Sequence, residues 1–209
     1  LVKKLLEEML GIRDVEIINK DKLNHSKRSY KKKQILLYDT KRRIDDFIKK
    51  IKYRRNGEYE DIPHFIISKS GDIYKVLDVK YSSKTFNIDK IDRQQIKISI
   101  ENLGWLKKNT ITGFFTNWIG DPYRTDPFIR GWREKFYWDR YNPEQIKSLI
   151  SLCDDLCDEY NIEKHVVPTN GIIENIEKLD GIVCKSNFSN IYTDINPSFN
   201  FKMFVENEI

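Results

Sequence analysis

Alanine is missing altogether from the 209-residue chain, which instead carries 29 Ile, 26 Lys and 16 Asn. That bias is what an AT-rich genome produces, and it points to a virus, a phage or an AT-rich bacterium as the source. Long apolar runs are missing too. None reaches the roughly 18 residues of a membrane span, so such a span is excluded. The opening LVKKLLEEML interrupts its leucines with charge and lacks the apolar stretch of a signal peptide. It starts with Leu rather than Met, as a fragment or processed chain does. The three cysteines are odd in number, which argues against a disulfide scaffold. Cys153 and Cys157 stand four apart on an expected helix and share a face, where buried thiols are a simpler reading than a metal pair. The only histidines are His25, His64 and His165. What remains is ordinary: 39% hydrophobic and 33% charged residues, enough for one well-packed domain or at most two small ones.

The net charge of +5 is unevenly spread. Residues 20–55 hold 15 Lys/Arg against 4 Asp/Glu, a net of +11, and residues 139–209 hold 6 against 13, a net of −7. The basic run containing Lys27, Arg28, Lys31, Lys32 and Lys33 reads as a solvated arm before the first strand, or as an attractor of nucleic acid or an anionic glycopolymer. Neither stacking aromatics of an RNA-binding motif nor a zinc-finger spacing accompanies it, which weighs against nucleic acid as a partner.

Hydrophobic patterning predicts strands and helices in alternation, an α/β fold with a mixed central sheet flanked by helices. Residues 1–33 read as a short amphipathic helix and a basic arm, and residues 34–209 as the folded domain. QILLYDT (34–40) is a buried-strand run. Ile44, Phe47, Ile48 and Ile51 mark an amphipathic helix over 42–53, followed by a turn at Asn56-Gly57. Residues 64–78 read as a hairpin turning at Ser70-Gly71, and IKISIENLG (96–104) as another strand. Residues 105–142 form an aromatic-rich insertion holding all four tryptophans. Trp105, Trp118 and Trp132 are candidates to line a groove, although a core patch beneath the insertion would use the same residues. Asn142-Pro143-Glu144-Gln145 opens the strongest helix, with Gln145 placed to reach back to the N-cap. GIVCKSNFS (181–189) predicts a last strand, and residues 199–208 a short terminal helix.

The order QILLYDT, IPHFIISKSGDIY, IKISIENLGWL, YNPEQIKSLISLCDDLCDEYNI, GIVCKSNFSNIYTDINPSFNF resembles the type-2 N-acetylmuramoyl-L-alanine amidases, relatives of the peptidoglycan-recognition proteins. The resemblance spans about residues 34–201. It implies a domain that cuts the amide between the muramoyl lactyl group and L-alanine of peptidoglycan. It also implies a zinc held by two His and one Cys or Asp, which activates a water and polarises the scissile carbonyl.

Carried over by position, the resemblance puts Tyr38 and Lys185 where the two zinc histidines belong, and Asp194 at the third ligand. The assisting positions match Pro63 and Tyr192. His64 falls on a position that is not a ligand, and no histidine is close enough to substitute. The resemblance therefore implies a domain that has lost its zinc, with Lys185 and Asp194 expected to form an ion pair and Tyr38 to add a hydrogen bond. Asp39, Cys184 and Asp194 are a conceivable substitute set. Glu101 is a further groove candidate, or a hydrogen-bonded carboxylate in the sheet.

The expected function is a catalytically degenerate amidase-like domain, binding peptidoglycan fragments or serving as a structural or assembly part among other virion proteins. That implies a virion- or tail-associated location if phage-encoded, and a soluble protein otherwise. The alternatives are an active zinc amidase with a rebuilt site and a basic nucleic-acid-binding protein.

Overall fold

A computed structural model of the chain describes residues 8, 10–15, 25–26, 30–53, 61–86 and 88–206. Most of the expected first helix and part of the basic arm, with the Asn56-Gly57 turn, lie outside these residues. The elements run β1 (Arg13–Asp14), β2 (His25–Ser26), β3 (Gln34–Asp39), α1 (Ile44–Tyr53), β4 (Phe65–Ile67), β5 (Ile73–Lys75) and β6 (Ser82–Ser83). Next come α2 (Asp89–Arg93), β7 (Gln95–Ile100), β8 (Trp105–Lys108), β9 (Phe115–Thr116), β10 (Pro122–Tyr123), β11 (Phe128–Trp132) and β12 (Lys135–Trp138). The chain continues through α3 (Pro143–Tyr160) and β13 (Gly181–Cys184) to α4 (Phe201–Glu206).

The central sheet has the order β1-β5-β4-β7-β3-β13. β4, β7, β3 and β13 run parallel, and β5 is antiparallel to β4, so the sheet is mixed as expected. β3 lies between β7 and β13 and is buried along its whole length, which is why its sequence is a continuous apolar run rather than an alternation. Ile35, Leu37, Ile96, Ile98, Ile100 and Ile182 pack on one face against Ile146, Leu149, Leu152, Cys153 and Leu156 of α3, with Phe204 of α4. Cys153 and Cys157 are buried in this core. On the other face, Phe47 and Ile51 of α1 pack with Ile62, Ile66 and Val76.

Gln145 accepts the Asn142 N–H at 3.0 Å and donates to the Glu101 carbonyl at 2.9 Å, tying the start of α3 to the end of β7. Gly71 closes the β4–β5 turn at φ +86°, where an added Cβ would come within 2.8 Å of the Glu144 carbonyl oxygen. The aromatic-rich insertion is a separate antiparallel sheet, β10-β9-β8-β12-β11. The expected strand over 181–189 stops at Cys184, because Lys185–Asn187 turn as a 3-10 helix that presents Lys185 at the sheet end.

Candidate functional site

The parallel strands β3 and β13 end side by side, with Leu37 opposite Cys184, so residues just past this register meet at one end of the sheet. That end holds Tyr38, Lys185 and Tyr192. The Lys185 ammonium lies 5.1 Å from the ring centroids of both Tyr38 and Tyr192. Tyr38 belongs to a small core with Leu36, Val167 and Val183. Phe86 stacks on Phe188 at 4.4 Å and meets Tyr192 edge-on at 5.7 Å, adding further rings beside the lysine.

The expected Lys185–Asp194 ion pair is not the one that forms. Lys185 Nζ instead pairs with Asp61 Oδ2 at 3.0 Å, and Asp194 Oδ1 pairs with Lys41 Nζ at 2.9 Å. The reason is reach: Asp61 enters just ahead of β4, two residues before the buried Pro63, and Lys41 sits in the β3–α1 turn at φ +56°. Thr85 donates its hydroxyl to the second oxygen of Asp61 at 2.8 Å. Burial alone would raise Asp61, but Lys185 and then Lys97 hold it below the usual carboxylate range. Burial would lower Lys185, yet Asp61 and then Asp194 outweigh it and hold the ammonium above its ordinary range. A protonated, ion-paired lysine has no lone pair for a metal, and its charge opposes a dication. Pro63 offers neither acid nor base.

Asp39, Cys184 and Asp194, the substitute set, feel one another's charge without forming a ligand cluster. Asp39 lies close enough to Asp194 that burial, and then the neighbouring carboxylate, push its carboxyl well above the usual range. Tyr141 donates its hydroxyl to Asp39 Oδ1. Burial, and then Asp39, push the Cys184 thiol up. Zinc needs its donors deprotonated, whereas burial here favours keeping the protons of Asp39 and Cys184. Among the described residues, no group of three or more His, Cys, Asp and Glu side chains is placed to hold a metal ion.

Polar groups continue along the face of the sheet that carries Tyr38. Lys97, buried mid-strand, pairs with Asp92 at 2.9 Å, and His64 Nδ1 accepts the Lys97 N–H at 2.8 Å. Burial, and then Lys32 next to it, hold His64 well below its ordinary range. Within the basic run, Lys32 is not solvated. It is buried and donates to the carbonyls of Tyr81, Arg93 and Gln95 at 2.8–3.2 Å. Lys31 and Lys33 are exposed.

The tryptophans do not converge on one groove. Trp105 pairs across the strands with Trp138 and carries Lys135 over its ring at 4.6 Å, while Trp132 lies 5.4 Å from Trp138. Trp118 is apart from these, donating its indole N–H to the Lys41 carbonyl at 2.9 Å. Glu101 accepts the N–H groups of Ile44 at 3.0 Å and Lys69 at 2.8 Å. It also lines a cleft of about 450 Å³ between the insertion and the central sheet.

One residue at this end went unnoticed in the sequence. Arg133 sits in the β11–β12 turn, where both Arg133 and Glu134 have positive φ. Its guanidinium donates to the carbonyls of Asn170, Ser186, Ser189 and Tyr192, clasping the loop between Lys185 and Asp194. Nothing local in the sequence says where this arginine lands.

The N-acetylmuramoyl-L-alanine amidase family (Amidase_2) matches residues 20–180. Among solved structures, the chain is similar to the endolysin N-acetylmuramoyl-L-alanine amidase LysCS from Clostridium intestinale. That likeness has 14% identity and a TM-score of 0.55, covering 94% of this chain and 93% of that one. The amidase LysC from the same organism matches at 14% and 0.51, covering 94% and 95%. AmiD from E. coli, solved with anhydro-N-acetylmuramic acid-L-Ala-D-γ-Glu-L-Lys, matches at 14% and 0.52 over 88% of this chain. The chain spans 60% of the length of AmiD. At this identity the likenesses concern the fold. No curated protein sequence matches significantly.

Proposed function

The chain belongs to the N-acetylmuramoyl-L-alanine amidase family, and from that premise we propose that it is a non-hydrolytic member that binds peptidoglycan fragments without zinc. The observation that supports this reading is Lys185, which the resemblance assigns to a zinc-histidine position: its ammonium pairs with Asp61 and is flanked by two tyrosine rings. Zinc chemistry needs a metal-bound water and an open coordination position. A fixed monovalent cation supplies neither. AmiD in its complex holds a muramyl peptide, which supports the same class of ligand here. An assembly role among virion proteins is the second use for a domain of this kind, supported only by the alanine-free composition.

The test is metal analysis of the purified chain together with a cell-wall digestion assay and a sedimentation assay on insoluble peptidoglycan. The expected result is substoichiometric zinc, no release of L-Ala-linked peptides, and retention of the chain on the wall. Stoichiometric zinc with chelator-sensitive peptide release would overturn this reading in favour of an active enzyme with a rebuilt metal site. A chain with no zinc, no turnover and no retention on the wall would leave the assembly role.

A further inference from the structure

The cleft between the insertion and the central sheet is lined by four cationic side chains, Arg43, Lys69, Arg124 and Arg140, against two acids, Glu101 and Asp139. Both acids already have partners. Glu101 is held by two backbone N–H groups, one on each carboxylate oxygen. Asp139 accepts the Leu103 N–H at 2.7 Å and pairs with the Lys69 ammonium at 3.0 Å. Lys69 also donates to the Arg140 carbonyl, so its charge is committed within the wall.

The three arginines are differently placed. Arg43 donates one bond, to the Pro122 carbonyl at 3.2 Å, and Arg140 donates two, to Asp126 and Pro127. Arg124 has no hydrogen bond or ion pair among the described residues. A guanidinium carries five N–H donors, so most of this donor capacity faces no acceptor from the chain. The residues come from three separate places: the turn before α1, the segment after β10, and the link from β12 to α3.

From this arrangement we propose that the cleft is a binding site for a phosphate group carried on a small molecule. A lone carboxylate bears one charge and is satisfied by one guanidinium fork. Two surplus positive charges, on donors arriving from three directions, instead match a tetrahedral dianion that presents several oxygens at once. The volume of about 450 Å³ leaves room for a polyol- or sugar-sized body behind the phosphate. This site is independent of the Lys185 position. Lys41 turns to Asp194 while Arg43, two residues on, lines the cleft.

Isothermal titration of the purified chain at low ionic strength, with inorganic phosphate, glycerol 3-phosphate and citrate, tests the proposal. Phosphate and glycerol 3-phosphate should bind saturably and weaken as salt rises. Arg124→Gln and Arg43→Gln should each weaken binding about tenfold, the scale of one charge-assisted contact. Melting temperature should stay unchanged for Arg124→Gln, whose side chain supports nothing in the fold. A control at the exposed Lys107 and Lys108 of β8, both changed to Gln, should bind like the original chain. Absence of saturable phosphate binding would overturn the proposal, as would binding that ignores both arginine changes. Citrate binding as tightly as glycerol 3-phosphate through the same arginines would overturn the phosphate assignment in favour of carboxylate.

Discussion

Alternate residues of β7 live in different chemistry. Ile96, Ile98 and Ile100 pack against α3, while Gln95, Lys97 and Ser99 point the other way, and all six are fully buried. The apolar face is stabilised by area removed from water, roughly 25 cal/mol per Å². The polar face loses hydration and recovers it only through specific partners, such as Asp92 for Lys97 and Asp61 for Lys185. One face therefore tolerates many apolar sequences of similar volume, whereas the other depends on pairs. The polar face is also the one that runs to the end of the sheet holding Tyr38 and Lys185.

Breaking one member of a pair should do most harm. Lys97→Met leaves Asp92 buried without its cation and should cost about 3–5 kcal/mol. Ile98→Ala on the apolar face should cost about 2–5 kcal/mol through lost burial and a cavity. Urea unfolding separates the two cases through the double variant. Lys97→Met with Asp92→Asn should recover most of the loss, and no second change to a neutral polar residue should rescue Ile98→Ala. Equal losses for the single and double Lys97 variants would erase the distinction between the faces.

Lys185→Met tests the pair at the sheet end and should cost about 1–3 kcal/mol, since Asp61 keeps Thr85 as a partner. The pH dependence has a definite sign. Asp61 is held low when folded, so its contribution is present above the ordinary carboxylate range and is lost as pH falls through its folded value. Lys185 is held high, so its contribution is present below the ordinary lysine range and is lost only as pH rises through its folded value. Thermal melts should show the original chain losing stability in acid more steeply than Lys185→Met. Parallel acid profiles would mean that Asp61 does not depend on Lys185.

The smallest effect has the opposite sign. The Asp39 carboxyl is raised, so its ionisation costs the fold stability as pH rises above the ordinary carboxylate value. Asp39→Asn should stabilise by roughly 1 kcal/mol at neutral pH, with Tyr141 still donating to the amide oxygen. The gain should vanish below that value, where both states of Asp39 are protonated. A gain that persists in acid would have to come from something other than charge.

Those pairs also mark where reading the sequence stops. ILLYD, the 3.6-residue spacing of α1 and the capped start of α3 are local signals, and each names its own element. The resemblance named Tyr38, Lys185 and Asp194 by order along the chain, and the structure brings Lys185 to the ring of Tyr38. The partner of Lys185 was not legible, because Asp61 is 124 residues away in sequence and arrives from the segment ahead of β4. Lys41 stands next to a strand that was read correctly, but only the left-handed turn aims it at Asp194. The insertion had been visible as composition, while its five-stranded sheet depends on pairings that short strands of two to five residues do not announce.

The clasp made by Arg133 bears on how this fold could be trimmed or rebuilt. Four carbonyls on either side of β13, from Asn170 to Tyr192, rely on a guanidinium delivered by the β11–β12 turn. Excising residues 105–142 to obtain a minimal domain would strip those acceptors of their donor at the rim that carries Lys185. The extra sheet is thus a brace rather than an ornament, and a shortened chain would need a new buttress before its C-terminal loop could hold its shape.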